Sequence, residues 1–105
     1  MFGFVLEDIT IGRFAHGFGT AHDGRPFAFR TVGSTLTVEI YRADLDTPVP
    51  AATDIVAVAT APVTDIDLDD ERSVTALVRD LIPTATPVVS GNNTVRTLLE
   101  RLSGL

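Results

Sequence analysis

The sequence predicts an α+β domain: an antiparallel β-meander of about four to five strands, then two C-terminal amphipathic helices packed on one face of the sheet. Residues 15–41 alternate apolar with small or polar side chains around two tight-turn signals, Asp23-Gly24 and Gly33-Ser34. Residues 55–61, "IVAVATA", are apolar without a break. Beyond residue 70 the apolar period lengthens from two to between three and four, as in helices with one buried stripe. A chain of 105 residues, 45% hydrophobic and 21% charged, is sized for one core and reads as a single domain over 1–105.

Phe2, Phe4 and Leu6 alternate and predict a first strand within residues 2–11. Gly33-Ser34 suits a two-residue type II′ turn, because glycine takes the first central position. That turn sets Val32 opposite Thr35, Thr31 opposite Leu36, Arg30 opposite Thr37, Phe29 opposite Val38 and Phe27 opposite Ile40. Phe27, Phe29, Leu36, Val38 and Ile40 then share one face, and Ala28, Arg30, Thr37 and Glu39 the other. A two-residue type I′ turn at Asp23-Gly24 would set His22 opposite Arg25, Thr20 opposite Phe27 and Phe18 opposite Phe29. Phe18 would join the apolar face. The reverse face would carry a small-residue strip of Ala15, Gly17, Gly19 and Ala21 beside Ala28, read as an interface where a second sheet or helix can come close.

A proline-bearing connector, "DLDTPVPAA", leads to residues 55–61, expected as a central strand covered on both faces. Pro62 marks its end or a bulge, since proline has no N–H for the ladder. Ile66 and Leu68 alternate with Asp65 and Asp67 as an extended continuation. Val74, Leu77, Val78, Leu81 and Ile82 form the stripe of a helix capped by Asp69 or Asp70 and stopped by Pro83. Thr86–Ser90 is a candidate short strand. Val95, Leu98, Leu99 and Leu102 predict a second helix, with Asn92 or Asn93 as its cap and Gly104 beyond its end.

Composition removes several function classes. The net charge of −6 argues against sequence-independent nucleic-acid binding, which needs a positive surface. All eight basic residues are arginine, so Schiff-base lysine chemistry is excluded; the absence of cysteine excludes a thiol nucleophile, a disulfide and a cysteine metal site. The missing lysine fits the codon usage of a GC-rich bacterium. The opening "MFGFVLEDITIGRF" lacks the basic start of a signal peptide, and no apolar run approaches a membrane span, so the expected location is cytoplasmic.

"VTDIDLDDERS" places five carboxylates in the seven positions 65–71. As a calcium loop starting at Asp65 it fails, with Asp70 where glycine is needed and Ala76 where the bidentate glutamate belongs. It reads instead as a solvated segment and a helix cap, acids favouring the positive end of the helix. His16 and His22 lie roughly 20 Å apart at strand rise and cannot share a metal on one strand. On the expected register His16 sits beside Thr31. No serine lies in a GxSxG elbow, and no HExxH is present.

"VVSGNNTVR" is the best anion candidate: Ser90, Asn92, Asn93 and Thr94 lead into a helix start, and Arg96 lies on its first turn. "FGTAHDGRPFAFR" followed by "TLTVEIYR" resembles the opening hairpin of flavin-binding split-barrel proteins, where an Asp-Gly-Arg-Pro turn often joins the first two strands. The resemblance covers about a quarter of the chain and implies Arg25 and Arg30 as phosphate contacts. It stops at "ADLDTPVPAATD", which is acidic and proline-bearing where that family continues with a helix carrying basic contacts. The expected function is a non-enzymatic protein–protein interaction or assembly module, most simply a homodimer, with no cofactor, no metal and no nucleic-acid or membrane partner. The alternative is a small-molecule protein or small enzyme that takes a phosphate-bearing or flavin-like ligand.

Overall fold

The computed structural model describes residues 3–44 and 50–88. They form a six-stranded antiparallel meander in sequence order: β1 Val5–Thr10, β2 His16–Thr20, β3 Pro26–Val32, β4 Thr35–Tyr41, β5 Ile55–Pro62 and β6 Thr86–Pro87. One α-helix, α1 Glu71–Leu81, lies between β5 and β6, and 3₁₀ turns occupy Ala52–Asp54 and Ile82–Thr84. Among the described residues the architecture is α+β with one helix. The second helix expected around Val95–Leu102 lies outside the described residues.

The β3–β4 hairpin has the expected register from Val32↔Thr35 through Phe27↔Ile40. Gly33 has φ of +62°, and among the described residues only glycines have positive φ, so Ser34 is not left-handed and the turn is type II′, not I′. Phe27, Leu36, Val38 and Ile40 are fully enclosed and Phe29 nearly so. The chain then pairs Leu36↔Ala61, Val38↔Ala59 and Ile40↔Ala57, which brings small β5 residues to the same face and leaves room for a helix. β5 lies between β4 and β6 as expected of an inner strand, but only one face is covered: Ala57 and Ala59 are buried, while on the other face Val58 is half-buried and Thr60 exposed.

α1 fills that room. Val74 and Val78 are fully buried, Ile82 continues the stripe, and Leu77 and Leu81 pack partly against the same cluster. Each enclosed valine contributes about 1.5–3 kcal/mol relative to an exposed one. Asp70 is the N-cap, its carboxylate accepting from the Arg72 amide at 3.2 Å and from the Ser73 hydroxyl at 2.8 Å. The helix ends before Pro83, whose missing N–H turns the chain into the 3₁₀ turn.

The β2–β3 register departs from expectation by one residue. The pairs are His16↔Arg30, Gly17↔Phe29, Phe18↔Ala28, Gly19↔Phe27 and Thr20↔Pro26. A type I′ turn needs positive φ at Asp23 as well as Gly24, and only Gly24 has it, at +87°. The connection is a three-residue loop instead: the Gly24 amide donates to the Ala21 carbonyl at 2.9 Å, and the Ala21 amide to the Arg25 carbonyl at 2.9 Å. Asp23 bonds the Arg25 amide two residues on, a local turn of the kind aspartate favours.

A one-residue shift turns every β2 side chain over. Ala15, Gly17, Gly19 and Ala21 therefore lie buried on the inner face, and Phe18 points out, 48% exposed. Crowding explains the glycines. A methyl on Gly17 would collide with the Asp8 carbonyl oxygen and stand 2.7 Å from Phe29 Cε1; one on Gly19 would collide with the Val5 carbonyl oxygen and stand 2.9 Å from Phe27 Cζ. The β1 backbone and two phenylalanine rings occupy the space side chains would need.

Residues 64–70 also differ from expectation. They form successive turns rather than an extended strand. Asp67 accepts from the Asp69 amide at 3.0 Å through its side chain and from the Asp70 amide at 3.1 Å through its carbonyl. Ile66 and Leu68 still reach the core, which ties these turns down while the carboxylates face solvent.

Candidate functional site

The sequence-predicted residues fall into four groups. Ser90, Asn92, Asn93, Thr94 and Arg96 lie outside the described residues. Ala15, Gly17, Gly19 and Ala21, expected as an exposed interface strip, are enclosed by the core, because the β2–β3 loop has three residues and not two. Ala28 alone of that strip lies on the outer face, half-buried. Arg25 lines a cavity on the inner side beside Ala57 and Ile82, whereas Arg30 lies in an outer-face row with His16 and Thr37 and does not line that cavity.

Arg25 belongs to the β2–β3 loop. Its Nε donates to Asp23 Oδ2 at 2.6 Å, so much of its charge is already answered. Burial alone would push the Asp23 carboxyl up, but hydrogen bonds from the Arg25 amide and guanidinium, with the arginine's charge, hold it below the ordinary carboxylate range. This pair rims a cavity of about 270 Å³ whose apolar floor includes Ala57, Ile82, Pro83 and Pro87. Phe4 closes the neighbouring inner edge, stacked on Phe27 with ring centres 5.5 Å apart and tilted against His22 at 6.3 Å. His16 pairs with Arg30, not Thr31, and its Nδ1 lies 2.9 Å from the Phe14 carbonyl.

The outer face is built in rows by the antiparallel register. One row runs Asp8, Phe18, Ala28, Glu39, Val58; the next runs Thr10, His16, Arg30, Thr37, Thr60. Among the described residues the only α-helix packs against the opposite face. Ala28 is the small member of its row, and beside it lies a second cavity of about 270 Å³ lined by Glu7, Phe18, Pro26, Ala28, Tyr41 and Pro50. Glu7 reaches it from a bulge where the β1 register shifts between Leu6 and Asp8. Tyr41 is 8% exposed. Its hydroxyl is pushed up by burial and then by the charge of Glu39, with Arg30 opposing.

A third feature lies at one end of the sheet. The β1–β2 loop carries Ile11 and Phe14, 43% and 73% exposed, and the β3–β4 turn presents Val32 at 64%. Buried Thr31 binds the two together. Its hydroxyl reaches the Arg13 carbonyl at 3.0 Å and the Ala15 carbonyl at 3.2 Å, and its amide donates to the Ala15 carbonyl at 2.9 Å. On the other side, the Gly12 amide donates to the Leu68 carbonyl at 2.6 Å, setting the loop beside the acidic turns. Phe14 and Val32 escape sequence reading because neither carries a motif; only their failure to fit an apolar face marks them.

Among the described residues no cluster of three or more histidine, aspartate or glutamate side chains is arranged to hold a metal ion. No helix among them is long and apolar enough to cross a membrane. Asp54, buried with 7% of its surface exposed, is tied structurally: it accepts from the Ala51 amide at 2.8 Å and pairs with Arg42 Nε at 3.0 Å, fastening the start of β5 to the end of β4. Compared with known protein families, curated proteins and solved structures, the chain matches none.

Proposed function

We propose that the protein is a non-enzymatic interaction or assembly module that associates through the end of the sheet bearing Ile11, Phe14 and Val32. The observation that supports this reading is the convergence of three large, exposed apolar side chains on two loops held together by Thr31. Apolar groups gathered at one place with a polar rim mark contact surfaces, and an aromatic anchor such as Phe14 contributes disproportionately to binding.

A second copy of the chain is the simplest partner. Exposed Arg13 lies in the Phe14 loop, and exposed Asp67 and Asp69 lie in the turns tied to Gly12. Both signs at one end favour a two-fold pairing in which each arginine meets the other copy's acids. The test is sedimentation equilibrium of the wild type and of a Phe14→Ser, Val32→Ser double variant. A wild-type dimer weakened at least roughly tenfold in the variant supports the reading, since lost anchors cost on the order of 1–2 kcal/mol each. A wild type that stays monomeric, or a dimer indifferent to both substitutions, overturns it.

A small-molecule reading has one observation behind it, the outer-face cavity. Its lining contains Glu7 and no arginine, which disfavours the phosphate-bearing ligand suggested by the hairpin's resemblance and turns attention to the opposite charge.

A further inference from the structure

We infer that the outer-face cavity is a binding site for a small organic cation, an alkylammonium group held between Phe18 and Tyr41 with Glu7 as its counter-charge. Phe18 stands on β2 and Tyr41 on β4, with β3 between them. Glu39, not Tyr41, lies level with Phe18, so the two aromatics stand diagonally: two inter-strand spacings across the sheet and two residues along it, about 12 Å between backbones. The intervening positions are Ala28 and Pro26, neither of which fills the gap. Two aromatic side chains thus wall a slot whose floor is a methyl group and a proline ring.

The volume of about 270 Å³ lies just below the roughly 300–1,000 Å³ of drug-sized sites, so the occupant is small. Aromatic faces attract cations through the ring quadrupole, most strongly where water is excluded. Among the described residues the one charged residue in the lining of the slot is acidic. It is Glu7, and Glu39 lies directly opposite Ala28 in the β3–β4 pairing. Glu39 and Arg30 act on the Tyr41 phenol in opposite senses and neither lines the cavity, which leaves Glu7 as the charge at its wall. The phenol stays neutral at ordinary pH and keeps its ring available to a cation. This inference is independent of the loop-end contact, which lies outside the cavity lining.

The chain holds one tyrosine and no tryptophan, so tyrosine emission reports Tyr41 alone. The experiment titrates the full chain with tetramethylammonium chloride and, at matched ionic strength, with sodium chloride. A saturable change with the organic cation only is expected. Phe18→Ala should weaken it roughly three- to tenfold, the range of one cation–π contact. Glu7→Gln should weaken it in the same direction, and His16→Ala, on the same face but outside the cavity, should leave it unchanged. Unaltered circular dichroism confirms that each variant is folded. No saturable difference between the salts, or affinities indifferent to both Phe18→Ala and Glu7→Gln, overturns the assignment. A parallel titration with Nα-acetyl-lysine amide separates the sources. Tighter binding of tetramethylammonium assigns the site to a free quaternary ammonium compound, and tighter binding of the lysine derivative to a partner's side chain.

Discussion

Both faces of the sheet have a place short of side-chain volume, on β2 inside and on β3 outside, for opposite reasons. Inside, Gly17 and Gly19 carry no side chain because carbonyl oxygens of β1 and the rings of Phe27 and Phe29 already stand there. Outside, Ala28 on the neighbouring strand carries only a methyl, and a cavity opens beside it between Phe18 and Tyr41. The inner vacancy is filled by neighbours and is a condition of folding. The outer one stays open among the described residues. A run of small residues is therefore no signal of a surface; what lies above it decides.

The sharpest way to break this contrast is to enlarge one side chain on each side. Gly19→Ala should cost about 3 kcal/mol or leave the chain unfolded, because its contacts are backbone and a packed ring that cannot retreat cheaply. Ala28→Leu should change stability by less than about 1 kcal/mol, because it enters open space. Urea unfolding measures both, and similar costs for the two would abolish the distinction between the faces.

A smaller effect is expected at Thr31, the buried polar residue that links the inner face to the exposed apolar loop. Thr31→Val keeps the shape but removes the donor to the Arg13 and Ala15 carbonyls, at about 1–2 kcal/mol. Hydrogen exchange should quicken at residues 13–16 before it does at β4. Uniform quickening across the sheet would show that Thr31 supports the core and not the loop in particular.

The smallest effect tests the environment of the outer face. Burial and Glu39 raise the Tyr41 phenol above its usual value of about 10. An acid whose folded pKa is raised contributes stability that is fully present below the unfolded pKa. That stability is lost as pH rises through the folded value. Tyrosinate absorbance should therefore appear at higher pH in the folded chain than in urea, and Glu39→Gln should bring it down. Coincident titrations in folded and unfolded protein would show that Tyr41 is not enclosed.

Much of the fold was legible because local chemistry and global packing agree. Gly33-Ser34 has one turn type that suits it, so the β3–β4 register and its inward residues follow. Asp70, the Val74–Ile82 stripe and Pro83 bound a helix on their own. The Asp23-Gly24 signal was ambiguous, since two- and three-residue loops both place the glycine at positive φ. An error of one residue there exchanges the faces of β2, and with them the interface read from Ala15, Gly17, Gly19 and Ala21. The outer cavity was not legible at all, because its lining comes from β1 through β4 and the segment before β5, and no spacing in the chain announces it.

By itself the sequence determined the sign of the surface, the strand and helix periods, the helix cap and the one unambiguous turn. These depend on a residue and its near neighbours, within reach of backbone conformation and side-chain charge. Tertiary structure alone decided which side of β2 faces the core, because that depends on whether Phe27 and Phe29 find free backbone beneath them. It also decided which apolar groups remain outside: Phe18 through the register of β2, and Phe14 and Val32 through their place at one end of the sheet, beyond the reach of the helix that covers the inner face.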